Sequence, residues 1–204
     1  DGDWSSPDPV PLFDLFMRNR VRLANVARAG GIPKLLLRGW HALRRNDRKG
    51  SRRNIADHYD LGNDFYREWL DPSLTYSSGI YGLGDTLAQA QRRKLTAILD
   101  RTGTAPGDTI LEIGCGWGSF AATASAAGCS VHGLTLSTEQ KAEVDARGLP
   151  GVTVSLTDYR DVIGTYDAVA SIEMVEAVGQ AYWPAYCDTL ARVLKPGGRA
   201  AIQY

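Results

Sequence analysis

Cysteine, methionine and histidine are all scarce in this chain of 204 residues, with three, two and three respectively. Cys115, Cys129 and Cys187 are odd in number and lack C-x-x-C spacing. That argues against a disulfide framework and a zinc site, and for a reducing compartment. His41, His58 and His132 are too scattered to suggest a metal cluster, so no metal is expected. No apolar run approaches the ~20 residues that a membrane span requires, and residues 1–11 lack the charged-then-apolar pattern of a secretory leader. Net charge is also lacking, with 23 basic and 23 acidic residues. What is present is ordinary globular composition, 44% hydrophobic and 23% charged, enough at this length for one sizeable core and a short extra segment.

The zero net charge conceals an asymmetry. From Arg18 to Arg53 there are 12 Lys/Arg and one acid, Asp47, giving +11; the remainder holds 11 basic and 22 acidic residues, giving −11. Such a segment seeks an anionic partner, or is a solvated face paired with the acidic body. Residues 1–11, with three prolines, read as a loosely attached leader. From Leu12 to about Leu43 apolar residues recur at helical spacing, and Gly30-Gly31-Ile32-Pro33 divides them into two helices. A basic amphipathic pair suits a membrane surface or a partner groove. Asn46 to Arg53 reads as a polar linker, so the expected division is 1–53 and 54–204. No nucleic-acid module accompanies the basic segment, and no nucleic-acid partner is expected.

Beyond the linker, His58 to Tyr81 holds six of the 18 aromatics. Thr86-Leu87-Ala88-Gln89 has the form of a capping box and opens a helix to about Arg101, with Leu87, Ala90, Leu95 and Ile98 as its buried stripe. Strands are then predicted at Thr109–Ile113, Val131–Leu136, Val152–Leu156, Tyr166–Ile172 and Arg199–Gln203, the last after a Pro196-Gly197-Gly198 turn. Helices are predicted at Ser119–Ala127, Glu139–Arg147 and Trp183–Leu194. Short apolar strands alternating with helices predict an α/β fold, a parallel Rossmann-like sheet covered on both faces.

The run Leu111-Glu112-Ile113-Gly114-Cys115-Gly116-Trp117-Gly118 reads as a buried strand ending in a tight glycine turn that opens a helix. Its G-x-G-x-G spacing is one residue short of the dinucleotide fingerprint. An acid at the strand end followed by this spacing resembles the first motif of S-adenosylmethionine-dependent methyltransferases. More specific runs accompany it: His58-Tyr59-Asp60-Leu61-Gly62-Asn63-Asp64-Phe65-Tyr66, Leu74-Thr75-Tyr76-Ser77-Ser78, Leu134-Thr135-Leu136-Ser137-Thr138-Glu139-Gln140, Asp158-Tyr159-Arg160-Asp161, Ser171-Ile172-Glu173-Met174-Val175-Glu176-Ala177-Val178-Gly179 and Leu194-Lys195-Pro196-Gly197-Gly198. Together, from about Asn54 to Tyr204, they resemble the cyclopropane fatty acid synthases and their mycolic acid relatives. Methyltransferases of this type normally add two strands beyond the fifth, and the first residue is not Met, so the chain is expected to be a piece of a longer protein.

The resemblance implies S-adenosylmethionine as cofactor. Gly114, Cys115, Gly116 and Gly118 would hold its amino acid end, with the carboxylate on loop amides and the helix N-terminus, and Glu112 would take the ammonium. Thr135, Leu136 and Gln140 would replace the usual ribose-binding acid; Ser137-x-x-Gln140 is also a capping box, which leaves two roles open for Gln140. Asp158 and Tyr159 would lie at the adenine edge, or form a strand-end turn. Tyr76 and Ser77 would reach the cofactor, since aromatic faces stabilise a sulfonium and a developing cation. Phe65 and Trp69 are read as anchors of a helix on the sheet. Glu176, with Ser78 and Tyr76, is expected at the reacting centre, Glu176 helping to hold a bicarbonate that acts as base; Glu173 is the alternative acid. Ser78 stands where many relatives have cysteine and Ala177 where some have histidine. His58 is read as a structural hydrogen-bonder. The implied substrate is the double bond of an unsaturated phospholipid acyl chain, reached from the cytoplasm by a peripheral enzyme at the anionic inner face of the membrane, with a homo-oligomer or protein partner allowed. A methyl-branching enzyme without ring closure, and a non-catalytic cofactor-binding subunit, are the alternatives.

Overall fold

The computed structural model describes residues 7–8, 10–20 and 62–204. The second helix of the basic segment, the polar linker, His58 and Tyr59 lie outside the described residues. The chain divides into two compact units, residues 1–45 and 46–204. In the first, helix α1 (Val10–Arg18) carries an Asp14–Arg18 pair at 2.6 Å, four residues apart on one face. Among the described residues no helix is long and apolar enough to cross a membrane.

In the second unit, α2 (Gly62–Arg67) and α3 (Leu87–Thr102) precede five strands. These are β1 (Thr109–Ile113), β2 (Ser130–Thr135), β3 (Val152–Leu156), β4 (Tyr166–Ile172) and β5 (Leu194–Gln203). Between them stand α4 (Ser119–Ala126), α5 (Thr138–Ala146), the four-residue α6 (Val175–Val178) and α7 (Trp183–Val193). The strands are parallel in the order β3-β2-β1-β4-β5. The expected α/β sheet is therefore present, with each predicted strand in place. β5 begins earlier than predicted. Pro196-Gly197-Gly198 does not precede the strand as a turn; it is an irregularity inside it, where pairing jumps from Tyr166–Leu194 to Ala168–Arg199. Lys195 there reaches Asp167 at 2.7 Å, and Asp167 also accepts from the Thr109 amide at 2.9 Å, tying three neighbouring strands together.

Alternation along β1 decides what each face receives. Ile110 and Glu112 face α3 and α4, in a core with Leu95, Ile98, Phe120 and Val131. Leu111 and Ile113 face α7, in a core with Tyr186, Leu190 and Val193. Helix α3 starts on the predicted capping box: the Gln89 amide donates to Thr86 Oγ1 and the Thr86 amide to Gln89 Oε1 at 2.8 Å. It ends on Gly103 in the left-handed region. Its buried face is not wholly apolar as predicted: Gln91 and Lys94 are buried beside Ala90, Leu95 and Ile98.

Gly118 begins α4 with φ +81°, and a Cβ there would lie 2.9 Å from Val144 Cγ2 on α5. Val144 is buried and β-branched, so it cannot swing aside cheaply. Gly118→Ala is accordingly expected to destabilise the fold by roughly 2–4 kcal/mol, from left-handed strain and overpacking together. Urea denaturation measures this; a loss below about 1 kcal/mol, the least the strain alone predicts, would contradict the assignment.

Candidate active site

Open α/β sheets leave a crevice beyond the carboxyl ends of their strands where the winding direction reverses. Here that point lies between β1 and β4, and a cavity of about 800 Å³ opens there. It is lined by Tyr76, Ser77, Ser78, Glu112, Gly114, Cys115, Gly116, Thr135, Leu136, Gln140, Asp158 and Tyr159, so twelve of the fourteen predicted site residues meet in one place. Gly118 and Glu176 are not on the lining. Gly118 acts through its packing on Val144. Glu176 is exposed in the first turn of α6, while Glu173, just past the end of β4, lines the cavity.

The three glycines of the turn have separate tasks. A Cβ on Gly114 would meet Met174 Sδ at 2.5 Å, whereas one on Gly116 would meet nothing within 4 Å. Gly116, at φ +52°, therefore presents bare backbone to open space. The amides of Gly114 and Cys115 are both given to Leu134 O, at 3.0 and 2.9 Å. They cannot serve an anion as expected, and that task narrows to the rest of the turn. Burial raises the Cys115 thiol well above its ordinary range, so it is not a thiolate nucleophile.

Glu112 is buried, and burial pushes its carboxyl well above the usual carboxylate range against the Ala121 amide and the Lys94 ammonium, which favour its ionised form. Its Oε2 has no hydrogen-bond partner. Gln140 resolves its two roles: its backbone amide donates to Ser137 Oγ at 3.2 Å, but its side chain does not return to the cap. Instead Oε1 accepts from Thr135 Oγ1 at 2.7 Å and Nε2 is left unpartnered. With Gln91 Oε1, three buried polar atoms on the cavity lining lack partners among the described residues, and such atoms mark places where a ligand would supply them.

Asp158 forms the predicted strand-end turn and also lines the cavity. It caps the short turn Tyr159–Asp161, accepting from the Arg160 amide at 3.0 Å. The Arg160 guanidinium, which the sequence reading overlooked, grips both carboxylate oxygens at 2.8 and 2.6 Å and fixes their direction. On the opposite wall Tyr76 packs edge-on against Trp69 at 5.5 Å, and Trp69 also lines the cavity. The anchoring expected of Phe65 and Trp69 falls instead to Tyr66, which is buried and packs at a tilt against Trp117, ring centres 4.9 Å apart; Trp117 Nε1 donates to Asn63 Oδ1 at 2.7 Å. Phe65 is exposed. The cleft is a largely apolar chamber edged by polar atoms.

Comparison with known proteins agrees with this arrangement. The profile of the mycolic acid cyclopropane synthetase family matches residues 46–204. A tuberculostearic acid methyltransferase of Mycobacterium tuberculosis is 39% identical over 99% of this chain and 50% of its own length. The cyclopropane-fatty-acyl-phospholipid synthase of Escherichia coli is 41% identical over 70% of this chain and 38% of its own length. Among solved structures, a mycolic acid cyclopropane synthase complexed with S-adenosylhomocysteine and CTAB superposes with a TM-score of 0.68 at 32% identity, covering 71% of this chain and 53% of that one. This chain thus spans half or less of the length of these curated relatives. The matched profile, the parallel sheet and the cleft at its winding reversal together establish that this chain belongs to the mycolic acid cyclopropane synthetase family.

Proposed function

We propose that this chain holds S-adenosylmethionine in the cleft and, within the whole protein, directs transfer of a methyl(ene) group to the double bond of an unsaturated phospholipid acyl chain. The observation that carries the reading is the coincidence, in one largely apolar cavity, of the unpartnered Glu112 Oε2, the unpartnered Gln140 Nε2 and the bare backbone at Gly116. When bound, the cofactor supplies an already activated electrophilic methyl group. The protein's tasks are therefore positioning and exclusion of water. Glu112 takes the ammonium, Gln140 a ribose hydroxyl, and Asp158 with Tyr159 the adenine edge. Tyr76 and Trp69 wall the acyl chain and face the positive charge that develops on it.

A proton must then leave the alkylated chain. Of the carboxylates on the cavity lining, Glu112 is buried toward α3 and α4, and Asp158 is gripped by Arg160. Glu173 remains. Its Oε1 accepts from the Ser78 amide and hydroxyl at 2.8 and 2.6 Å and from Gln203 Nε2 at 3.0 Å, which leaves Oε2 for the proton. Glu176, which the resemblance would have help to hold a bicarbonate base, is exposed and off the cavity lining, so the proton is routed here through Glu173. The residues from Arg18 to Arg53, at +11, would meet the anionic inner face of the membrane.

A methyl-branched product without ring closure is the second reading. It is favoured by the tuberculostearic acid methyltransferase, whose similarity extends over 99% of this chain. Both products gain one methylene in mass, so proton NMR of a defined unsaturated phospholipid after turnover separates them by the far-upfield cyclopropane signals.

Two variant pairs test the site. Glu112→Gln and Gly116→Ala are each expected to weaken S-adenosylhomocysteine binding by roughly tenfold or more in calorimetric titration, with the fold retained. Wild-type affinity in both would remove the cofactor from this cleft. Glu173→Gln is expected to keep cofactor affinity and lower turnover at least about a hundredfold, at the low end of proton-transfer effects. Glu176→Gln should cost less; the opposite order would return the reacting acid to Glu176.

A further inference from the structure

Residues 71–78 form a strap without regular secondary structure, running from Asp71 to Ser78 along the cavity wall. Leu74 packs the strap on Tyr66 and Trp117, and Tyr76 on the Tyr66 and Trp69 rings; buried polar groups fasten the rest of it. Asp71 gathers its start, accepting from the Ser73 amide at 3.1 Å and hydroxyl at 2.7 Å. Ser119 Oγ donates to Ser73 O at 2.6 Å. Gln91 Nε2 donates to Ser77 O at 2.6 Å, and Lys94 Nζ donates to Ser77 Oγ. Ser78 is held from the other side by Glu173. Within the strap Leu74 sits at φ +54°, a left-handed conformation that a leucine keeps only when its surroundings impose it.

Lys94 is the least expected of these fasteners. It lies on the buried face of α3, three residues after Gln91, and is 1% exposed. A methionine or leucine would fill the same volume without stripping an ammonium of water, a penalty that exceeds the net gain from one hydrogen bond. Three carboxylates act on it: Glu112 on β1, Asp71 on the strap and Glu173 beyond β4. Burial still draws it down to about 8, so at neutral pH it remains mainly an ammonium. Among the described residues the Ser77 hydroxyl is the acceptor it grips, and Ser77 lies on the cavity lining between Tyr76 and Ser78.

We infer that Lys94 is a positioning residue, whose buried ammonium holds Ser77, and through it the Tyr76–Ser78 wall, in the conformation that receives the cofactor. The inference rests on the cofactor reading above. It differs from a packing role, which would act on stability alone, and from a direct contact of Ser77 with the cofactor, which would not involve Lys94.

A double-mutant cycle on the full chain decides among these, with S-adenosylhomocysteine as the titrated ligand and thermal unfolding as the control. Lys94→Met and Ser77→Ala are each expected to weaken binding roughly tenfold, the value of one charge-assisted hydrogen bond. The double variant should be within about twofold of the weaker single variant, because both changes remove the same bond. The deficit of Ser77→Ala relative to wild type should shrink as pH rises through about 8, where Lys94 loses its charge. Wild-type affinity in Lys94→Met, effects that multiply in the double variant, or a Ser77→Ala deficit that ignores pH would each overturn the inference. If Lys94→Met does not fold, Ser77→Ala and its pH dependence decide alone, since that change leaves α3 intact. Failure of the wild-type chain to bind would overturn the cofactor reading and this inference with it, an outcome distinct from wild-type binding that Lys94→Met leaves unaltered.

Discussion

The reversal of winding between β1 and β4 is the constraint on which the rest of this structure depends. Connections leaving β1 and β2 step one way across the sheet, and the connection from β3 returns to the other side of β1. No helix can cover the gap where the two directions part, so the carboxyl ends of β1 and β4 stay uncovered. Each part of the site is then reached over a few residues from a strand end: the glycine turn from β1, Thr135 from β2, Asp158 from β3 and Glu173 from β4.

What closes the chamber is polar as well as apolar. The apolar cores on the two faces of the sheet hold the frame, but the strap over the cavity is fastened by Asp71, Gln91, Lys94, Ser119 and Glu173. Apolar contacts would hold the strap against the core without specifying its register, whereas hydrogen bonds with fixed donors and acceptors define where each hydroxyl and carbonyl lies. The proposed methyl transfer, which would rely on alignment, has use for such a wall. Charge is arranged around the same fastener: Glu112, Asp71 and Glu173 all act on the buried Lys94 ammonium.

Much of this was legible in the sequence, for identifiable reasons. The five strands were visible because each is a short apolar run bounded by turn residues, and Thr86-x-x-Gln89 announced the start of α3 through a purely local bond pattern. Of the twelve predicted residues that line the cavity, nine were legible because their motifs sit at or just after strand ends, whereas Tyr76, Ser77 and Ser78 stand on the strap and came from the resemblance alone. The polar fasteners were less visible. Gln91 and Lys94 occupy positions on the apolar stripe of α3 at i and i+3, and two polar residues on an otherwise buried face were the available signal. Arg160 was hidden because its partner is only two residues away, where a charge reads as part of a turn.

The order of residues by itself determined the elements, their alternation, and therefore the parallel sheet and the crevice, because period and turn chemistry are local properties. It also determined that a glycine turn would follow an acid at the end of β1. Only the tertiary structure decided which glycine faces open space and which packs on a neighbour, that Glu173 and not Glu176 turns into the cavity, and that Lys94 reaches the strap. Those outcomes depend on distances between residues 17 to 95 positions apart, set by how helices settle on the sheet, and no local pattern encodes them.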